Sequence, residues 1–334
     1  MKETILKLGK SIALAKKILL INHIRMDPDA FGSTAALYYV LKKAWYDVKA
    51  TNDEAPASDF EFLWSNDIFE AWMDITSFDP DLIISCDAAS IDQLWESYKK
   101  HEKNFREKEF YVIDHHLSNP GFGHENIINS NVSSTCEIVL TVLEETWLDK
   151  YIDKHIATLL TAGIHTDTNI YYNSNTSPST LRAGAKLMEY WADFRLPMFE
   201  FFKKKRFNKS KLWGQALTKL QKNNEWSIYW TIIAKEMFED TDTSDKDVSG
   251  LINEFLANLE WMEVCFILYP LPDGKIKASL RSNGIDVSTI CSEFWWGGHK
   301  QAWGFSVSCH SELHSESLLK DTEKKLLERL KKEL

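Results

Sequence analysis

The chain has 334 residues, which is too long for one ordinary hydrophobic core and predicts two domains. Its 44% hydrophobic and 26% charged residues are typical of a globular protein in water, and no apolar run approaches the roughly 18 residues of a membrane span. The net charge of -10 argues against a binding track for long nucleic acid, because Lys and Arg supply most of such affinity. Five scattered cysteines without a Cys-x-x-Cys pair favour a reducing cytoplasm.

The first part of the chain alternates apolar runs with helical patterns. After an amphipathic N-terminal helix, the pattern predicts strands near residues 18–22, 48–51, 82–86 and 110–113. It predicts helices near residues 33–45, 133–143, 154–164 and 177–190. This alternation is typical of an α/β domain with a mostly parallel sheet and helices on both faces.

The second part of the chain mixes the two element types again. A strand is predicted near residues 226–233, a helix over 247–259, and a hairpin from 262–269 and 275–281. The tail over 315–334 is a charged helix with a narrow leucine face, which we expect to pack on its own domain or on a partner subunit. The predicted division is a first domain over 1–190, a helical linker over 191–212 and a second domain over 213–334.

Acidic and imidazole side chains follow four of the predicted elements in the first domain. They are His23, Asp27 and Asp29; Asp87; Asp114, His115 and His116; and Asp167. Pro28 predicts a turn that carries both neighbouring acids, with the helix beginning near Ser33. Any one stretch could be a capped strand end or a turn, but four in one domain favour a metal centre.

In combination these stretches resemble the four motifs of the DHH phosphoesterase family. Further along, Ser279-Leu-Arg-Ser282 and Gly297-Gly298-His299 resemble the DHHA1 domain found in its nano-RNase and oligoribonuclease branch. The resemblance implies an N-terminal DHH domain with a mostly parallel sheet and a smaller mixed α/β DHHA1 domain. It also implies that the active site lies in a cleft between the two domains.

The resemblance also implies two divalent metal ions, most simply Mn²⁺, with Mg²⁺ or Co²⁺ as alternatives. One ion would be held by His23, Asp27 and Asp87. The other would be held by Asp29, Asp87, His115 and Asp167, so that Asp87 bridges the pair. Asp114 would orient His115 or its loop, and His116 would face the substrate and assist at the phosphoryl oxygens or the leaving group.

In the second domain, the resemblance assigns substrate binding to a short set of residues: Arg281, Ser282, Gly297, Gly298 and His299. Glycines permit close backbone approach, and a guanidinium binds phosphate through two hydrogen bonds. The chain departs from the family at three positions. Trp295 and Trp296 stand where the family has further glycines, and Trp303 stands where it has a small residue, so the shape of the substrate pocket is expected to differ.

The implied activity is hydrolysis of short RNA oligonucleotides to mononucleotides, by attack on phosphorus of a hydroxide activated by two metals. Adenosine 3′,5′-bisphosphate is a further candidate substrate. Cyclic or linear dinucleotides are an alternative within the same class, and a nucleotide-binding regulator without turnover is an alternative of another class. We expect short RNA or small nucleotides as partners, with no long duplex and no membrane, and a homodimer as the candidate assembly.

Overall fold

The computed structural model of the chain describes residues 1–223, 225, 227–285, 302–308 and 315–333. The chain divides into two compact units, Met1–Lys204 and Lys205–Leu334. Among the described residues, no helix is both long enough and apolar enough to span a bilayer. The predicted turn at Gly297, Gly298 and His299 lies outside the described residues.

The first unit is built on one parallel sheet. Its strands are β1 (Lys17–Asn22), β2 (Asp47–Asn52), β3 (Phe69–Ala71), β4 (Leu82–Cys86), β5 (Glu109–Asp114) and β6 (Glu125–Ile128). Their order in the sheet is β3-β2-β1-β4-β5-β6, and every neighbouring pair is parallel. The order reverses direction between β1 and β4, and ligand sites of open α/β sheets lie at the carboxyl ends of strands at such a point.

Helices cover both faces of this sheet. They are α1 (Lys2–Leu14), α2 (Pro28–Lys43), α3 (Ile75–Phe78), α4 (Trp95–Glu107), α5 (Thr135–Glu145), α6 (Lys154–Asp167), α7 (Pro178–Glu189) and α8 (Arg195–Pro197). The first-unit turns are 3-10 helical at Ser58–Leu63, Asn66–Ile68, Ile91–Leu94 and Asp149–Tyr151, and π-helical at Met198–Lys203. On β1, Ile18 and Leu20 join one core cluster and Leu19 and Ile21 join another, because successive side chains point to opposite faces. The predicted mostly parallel sheet with helices on both faces is therefore confirmed.

The start of α2 differs from the prediction. The helix begins at Pro28 rather than near Ser33, so Asp29 lies in the first helical turn and not on a preceding loop. Proline is compatible with this first position, because the N–H that it lacks has no partner within the helix. Asp27 is the N-cap, and its side chain accepts hydrogen bonds from the N–H groups of Asp29 and Ala30.

The second unit contains a five-stranded mixed sheet. Its strands are β7 (Gln221–Asn223), β8 (Ile228–Ile232), β9 (Val264–Pro270), β10 (Ile276–Ser282) and β11 (Ala302–Val307). Its helices are α9 (Phe207–Thr218), α10 (Lys235–Thr241), α11 (Leu251–Glu254) and α12 (Ser315–Glu333), with 3-10 turns at Asp245–Val248 and Leu256–Asn258. The sheet order is β11-β10-β9-β8-β7, in which β8 and β9 are parallel and the other pairs antiparallel. The predicted hairpin is β9 and β10, and the leucine face of α12 packs on this sheet within its own unit.

The helix predicted over 247–259 is wrong. That segment contains only the four-residue α11, with a 3-10 turn on each side. Gly250 is the reason, because its φ of 94° lies in the left-handed region and interrupts a right-handed helix.

Helices α2 and α6 approach each other through two glycines. A Cβ at Gly32 would lie 2.4 Å from the carbonyl oxygen of Leu159, and one at Gly163 would lie 2.5 Å from Oδ1 of Asp29. Neither distance is compatible with a methyl group, so the two helices reach this separation only because both positions lack a side chain. The absence of a side chain at Gly163 therefore allows the Asp29 carboxylate to lie where it does.

We predict that Gly32→Ala and Gly163→Ala each lower the free energy of unfolding by about 1–3 kcal/mol, because the added methyl overpacks the helix contact. Gly214→Ala is the matched control, since no atom lies within 4 Å of the Cβ position and the residue is in the middle of α9. It should leave stability equal or raise it by about 0.5–1 kcal/mol. Urea denaturation measures all three; equal stability of Gly163→Ala and the parent would contradict the packing argument.

Candidate metal centre

Three neighbouring strands of the first unit deliver polar side chains to the same edge of the sheet. His23 directly follows β1, Asp87 directly follows β4, and Asp114 is the last residue of β5, with His115 and His116 next in the chain. Since β1, β4 and β5 are adjacent and parallel, their carboxyl ends lie side by side. Asp87 has a φ of 59°, a left-handed conformation that aspartate tolerates better than most residues.

Two helices contribute the remaining acids. Asp27 and Asp29 come from the N-terminus of α2, and Asp167 is the last residue of α6. The sequence-predicted metal ligands therefore come from three strand ends and two helix ends, and the structure brings all six together. Together with His116 they form three overlapping groups, in each of which the ligand atoms lie within 4.8 Å of one another: Asp87, His115 and His116; His23, Asp27 and Asp87; and Asp29, His115 and Asp167.

Asp87 joins two of these groups through different oxygens. Its Oδ2 lies 3.7 Å from Nε2 of His23, while its Oδ1 lies 3.6 Å from Nε2 of His115. The side chain is buried, and Thr135 donates a hydrogen bond of 2.8 Å from its hydroxyl to Oδ1. Each oxygen of this carboxylate thus faces a different imidazole.

Asp29 is held by the N-terminus of α5. Its two carboxylate oxygens accept hydrogen bonds from the backbone N–H groups of Thr135, at 2.6 Å, and Cys136, at 2.9 Å. The N-terminal end of a helix carries partial positive charge and favours an anion there. Burial and the neighbouring charges of Asp87 and Asp167 act in the opposite direction and raise the pKa of Asp29 well above its usual value.

The electrostatics of the cluster are those of crowded carboxylates. Burial, with the charges of Asp87 and Asp27, raises the pKa of Asp167 to about 8. Burial lowers the pKa of His23, but its interactions with Asp27 and Asp87 outweigh that effect and raise the pKa to about 10. A divalent cation would offset the repulsion among these acids, and carboxylate oxygens with imidazole nitrogens are a donor set suited to Mn²⁺ and similar ions.

Asp114 lies behind the cluster and contacts His116. Its Oδ1 lies 2.8 Å from Nδ1 of His116, and its Oδ2 accepts a hydrogen bond from the side chain of Asn119 at 2.6 Å. Asp114 was expected to orient His115 or its loop. Among the hydrogen bonds of the described residues, Asp114 contacts His116 and not His115. The hydrogen bond that His116 donates to the Asp114 carboxylate raises the pKa of His116.

Sequence reasoning missed Thr135, Asn119 and Asn52. Asn52 donates from its side chain to Oδ1 of Asn22, at 2.6 Å, and to the carbonyl of His23, at 2.7 Å, which supports the first ligand loop from the neighbouring strand. The helix start near Ser134 was visible in the sequence, and Ser134 is indeed the N-cap of α5. That signal does not show which carboxylate the helix faces, because the contact spans 106 residues of chain.

His165 is a structural residue of the first unit. It is fully buried between the rings of Tyr171 and Phe194, and neither ring nitrogen has a hydrogen-bond partner. Burial lowers its pKa to about 4. The imidazole is therefore neutral in this environment, which fits a packing role.

In the second unit, Arg281 lines a cavity of about 300 Å³. Its guanidinium donates to the side chain of Asn253 at 2.8 Å, and Lys246, Tyr269 and Lys277 line the same cavity. These three residues were not predicted from the sequence. Ser282, one residue along β10, is buried, and its hydroxyl donates to the carbonyl of Ile285 rather than lining this cavity.

Comparison with known proteins gives relatives over nearly the whole length. The chain is 25% identical to the bifunctional oligoribonuclease and PAP phosphatase NrnA of Bacillus subtilis, over 95% of this chain and 97% of that protein. It is 26% identical to the protein of the same name from Mycoplasma genitalium, over 93% and 94% of the two chains. A crystal structure of an exopolyphosphatase-related protein from Bacteroides fragilis superposes with a TM-score of 0.82, at 21% identity and coverage of 99% and 97%.

Two family models match the chain. The model of the DHH family N-terminal domain matches residues 17–164, and the DHHA1 domain model matches residues 230–332. The first match contains every candidate metal ligand except Asp167. The second contains Arg281 and the residues that line the same cavity, Lys246, Asn253, Tyr269 and Lys277 among them. Together they cover most of the sequence, and the chain belongs to the DHH/DHHA1 phosphoesterase family.

Proposed function

We propose that the protein is a phosphoesterase that hydrolyses short RNA oligonucleotides to mononucleotides and also removes a phosphate from adenosine 3′,5′-bisphosphate. The observation that carries the proposal is the cluster of overlapping Asp and His groups that share Asp87 and His115. The names of the relatives from Bacillus subtilis and Mycoplasma genitalium support the substrate class. The proposal includes two divalent ions, with Mn²⁺ as the first candidate.

In this proposal one ion is held by His23, Asp27 and Asp87. The second is held by the set Asp29, Asp87, His115 and Asp167. When bound, such a pair supplies a hydroxide at neutral pH and neutralises charge on the phosphoryl oxygens. Asp87 is suited to bridge the two ions because its oxygens face His23 and His115 separately, and the hydroxyl of Thr135 fixes the orientation of the carboxylate.

His116 is the proposed catalytic residue outside the ligand set. Its side chain is partly exposed, and its Nδ1 is held by Asp114, which leaves Nε2 directed away from that carboxylate. Because Asp114 raises the pKa of His116, the protonated imidazole persists to higher pH and can donate to a phosphoryl oxygen or to the leaving group. Asp114 acts through His116 and is a positioning residue.

The second unit is proposed to bind the nucleotide part of the substrate. Its cavity is lined by three cationic side chains, Lys246, Lys277 and Arg281, against one acid, Asp245, and by the ring of Tyr269. Cations suit a phosphate, and an aromatic ring offers a face on which a base can stack. A cavity of about 300 Å³ fits a ligand of nucleotide size, and the net charge of -10 disfavours long nucleic acid.

Asp87→Ala should abolish both metal binding and hydrolysis, because it removes the carboxylate shared by two ligand groups. The loss of activity should exceed the roughly 10–100-fold effect that is typical of residues behind the ligands. Elemental analysis after metal loading and hydrolysis of an RNA dimer measure the two effects. Asp59→Asn, at an exposed acid outside the site, is the control; an active, metal-loaded Asp87→Ala protein would refute the bridging role.

Metal binding near pH 7 should release about two protons per chain. The Asp167 carboxyl, with a pKa of about 8, and His23, with a pKa of about 10, both hold protons at that pH and must lose them to become ligands. Near pH 9 Asp167 is already ionised, so the release should fall and the affinity should rise. Titration calorimetry in two buffers of different ionisation enthalpy gives the proton count; a count that does not change with pH would contradict this account.

The substrate class is tested with purified protein, Mn²⁺ and a panel of RNA dimers to pentamers, adenosine 3′,5′-bisphosphate, a cyclic dinucleotide and pyrophosphate. Mononucleotides from the RNA oligomers, separated by chromatography, are the expected products. Exclusive hydrolysis of the cyclic dinucleotide would replace this proposal with the dinucleotide alternative. Nucleotide binding with metal present and no turnover of any panel member would favour the regulatory protein.

A further inference from the structure

Tryptophan occupies an unusual backbone conformation in this protein. Of the 15 non-glycine residues with positive φ among those described, seven are tryptophans. They are Trp45, Trp64, Trp72, Trp95, Trp147, Trp191 and Trp261, with φ between 46° and 70°. A bulky L-residue in the left-handed region is a steric outlier, whereas glycine adopts this region freely.

The same seven side chains are all exposed, from 46% at Trp95 to 94% at Trp45. Tryptophan is ordinarily well buried, because its ring is large and apolar. Lysine side chains lie over the rings of Trp72 and Trp95, but these are contacts at the surface. Because the seven rings are exposed and their backbone is strained, packing does not explain why tryptophan occupies these positions.

Three of the seven stand at the position of a helix end where glycine is preferred. Trp45, Trp147 and Trp191 each follow the C-cap of a helix, namely α2, α5 and α7. After α2, the N–H of Trp45 donates to the carbonyl of Lys42, and the next N–H donates to that of Leu41. The same pair of hydrogen bonds follows α5 and α7. This is the Schellman motif, whose left-handed residue is usually glycine.

Two other tryptophans behave in the ordinary way. Trp213 and Trp230 are buried, have no positive φ, and donate from their indole N–H to the carbonyl of Asp247 and the carboxylate of Glu323. The nine tryptophans whose side chains the structure describes thus fall into a buried, hydrogen-bonded pair and an exposed set of seven with positive φ. One amino acid has two unrelated structural roles in the same chain.

We infer that the seven left-handed positions are glycine in the protein made by its native cell. One codon that is translated as tryptophan in the printed sequence would then be translated as glycine in the native cell. UGA is the candidate codon, since genetic codes differ in how they read it, whereas UGG specifies tryptophan. The composition agrees, because the 13 glycines of this chain are about half of the usual share of roughly 7%, and its 13 tryptophans are unusually many.

The proposed substrate-binding turn contains further tryptophans to which the same codon reading can apply. The glycine proposal stands whether or not the proposed function is correct. If Trp295 and Trp296 use the same codon, the sequence before His299 becomes four consecutive glycines. If Trp303 does so too, the ten additional glycines give 23 in 334 residues, close to the ordinary share. The departures of this chain from its family at the turn would then disappear.

The deciding experiment is peptide mass spectrometry of the protein purified from its native cells, together with the codons of the gene. The inference requires the mass of glycine at all seven positions and that of tryptophan at Trp213 and Trp230, with UGA at the first set and UGG at the second. UGG at the seven positions, or the mass of tryptophan at Trp45, Trp147 or Trp191, would overturn it.

A stability test separates glycine's backbone freedom from the loss of an exposed ring. In protein made with tryptophan, Trp147→Gly and Trp191→Gly should each raise the melting temperature by about 2–4 °C. Trp147→Ala removes the ring but keeps a Cβ, so it should show little of that gain. Trp213→Gly and Trp230→Gly should lower the melting temperature, since they leave cavities. No gain on Trp→Gly, or an equal gain on Trp147→Ala, would contradict the conformational argument.

Discussion

The first unit depends on keeping several carboxylates close together in a mostly buried place. Asp29 and Asp87 are almost fully buried. Asp167 belongs to the same group as Asp29 and His115, and His115 is shared with the group of Asp87. Like charges at this spacing oppose folding unless something compensates, and the raised pKa of Asp167 is the local sign of that opposition. The compensation within the chain comes from the N-terminus of α5 at Asp29 and from the hydroxyl of Thr135 at Asp87. A bound cation would offset the remaining repulsion among the carboxylates. The crowded acids thus lower the stability of the metal-free chain and favour binding of a metal ion.

The parallel sheet explains how such a cluster can be assembled from distant parts of the chain. The strand order reverses between β1 and β4, and the first candidate ligands lie at the carboxyl ends of these two strands and of β5. Helices α2 and α6 then add their acids, and they approach closely because Gly32 and Gly163 leave room. The second unit uses a different architecture, in which a mixed sheet supports a cavity with cationic and aromatic walls. The polar groups of the two units therefore differ, with carboxylates and imidazoles clustered in the first and three cationic side chains around the cavity of the second.

The left-handed tryptophans occupy a backbone conformation that ordinarily selects glycine, which is the basis of the proposal that they are glycine in the native protein. A Schellman helix end needs a residue with positive φ whatever the surroundings, because two hydrogen bonds close the helix only in that conformation. Trp213 and Trp230 differ from this set in both respects. Their indole N–H groups have hydrogen-bond partners, and their backbone conformation does not need glycine. Composition alone shows an excess of tryptophan, whereas torsion angles and side-chain exposure together distinguish the residues that pack from those that do not.

Apolar periodicity, a local feature of the chain, was enough to predict the α/β class, the mostly parallel sheet and the second mixed domain. The resemblance of the motifs indicated the family. The sequence also supplied the candidate ligands, from His23 to Asp167. It misplaced the start of α2, since Pro28 is compatible both with a turn and with a first helical residue, and it predicted a helix where Gly250 interrupts one. Three features could be seen only in the folded chain: α5 faces Asp29, Asp114 contacts His116, and Lys246 and Lys277 line the same cavity as Arg281. These contacts join residues through strand order and helix packing, which spacing along the chain does not encode.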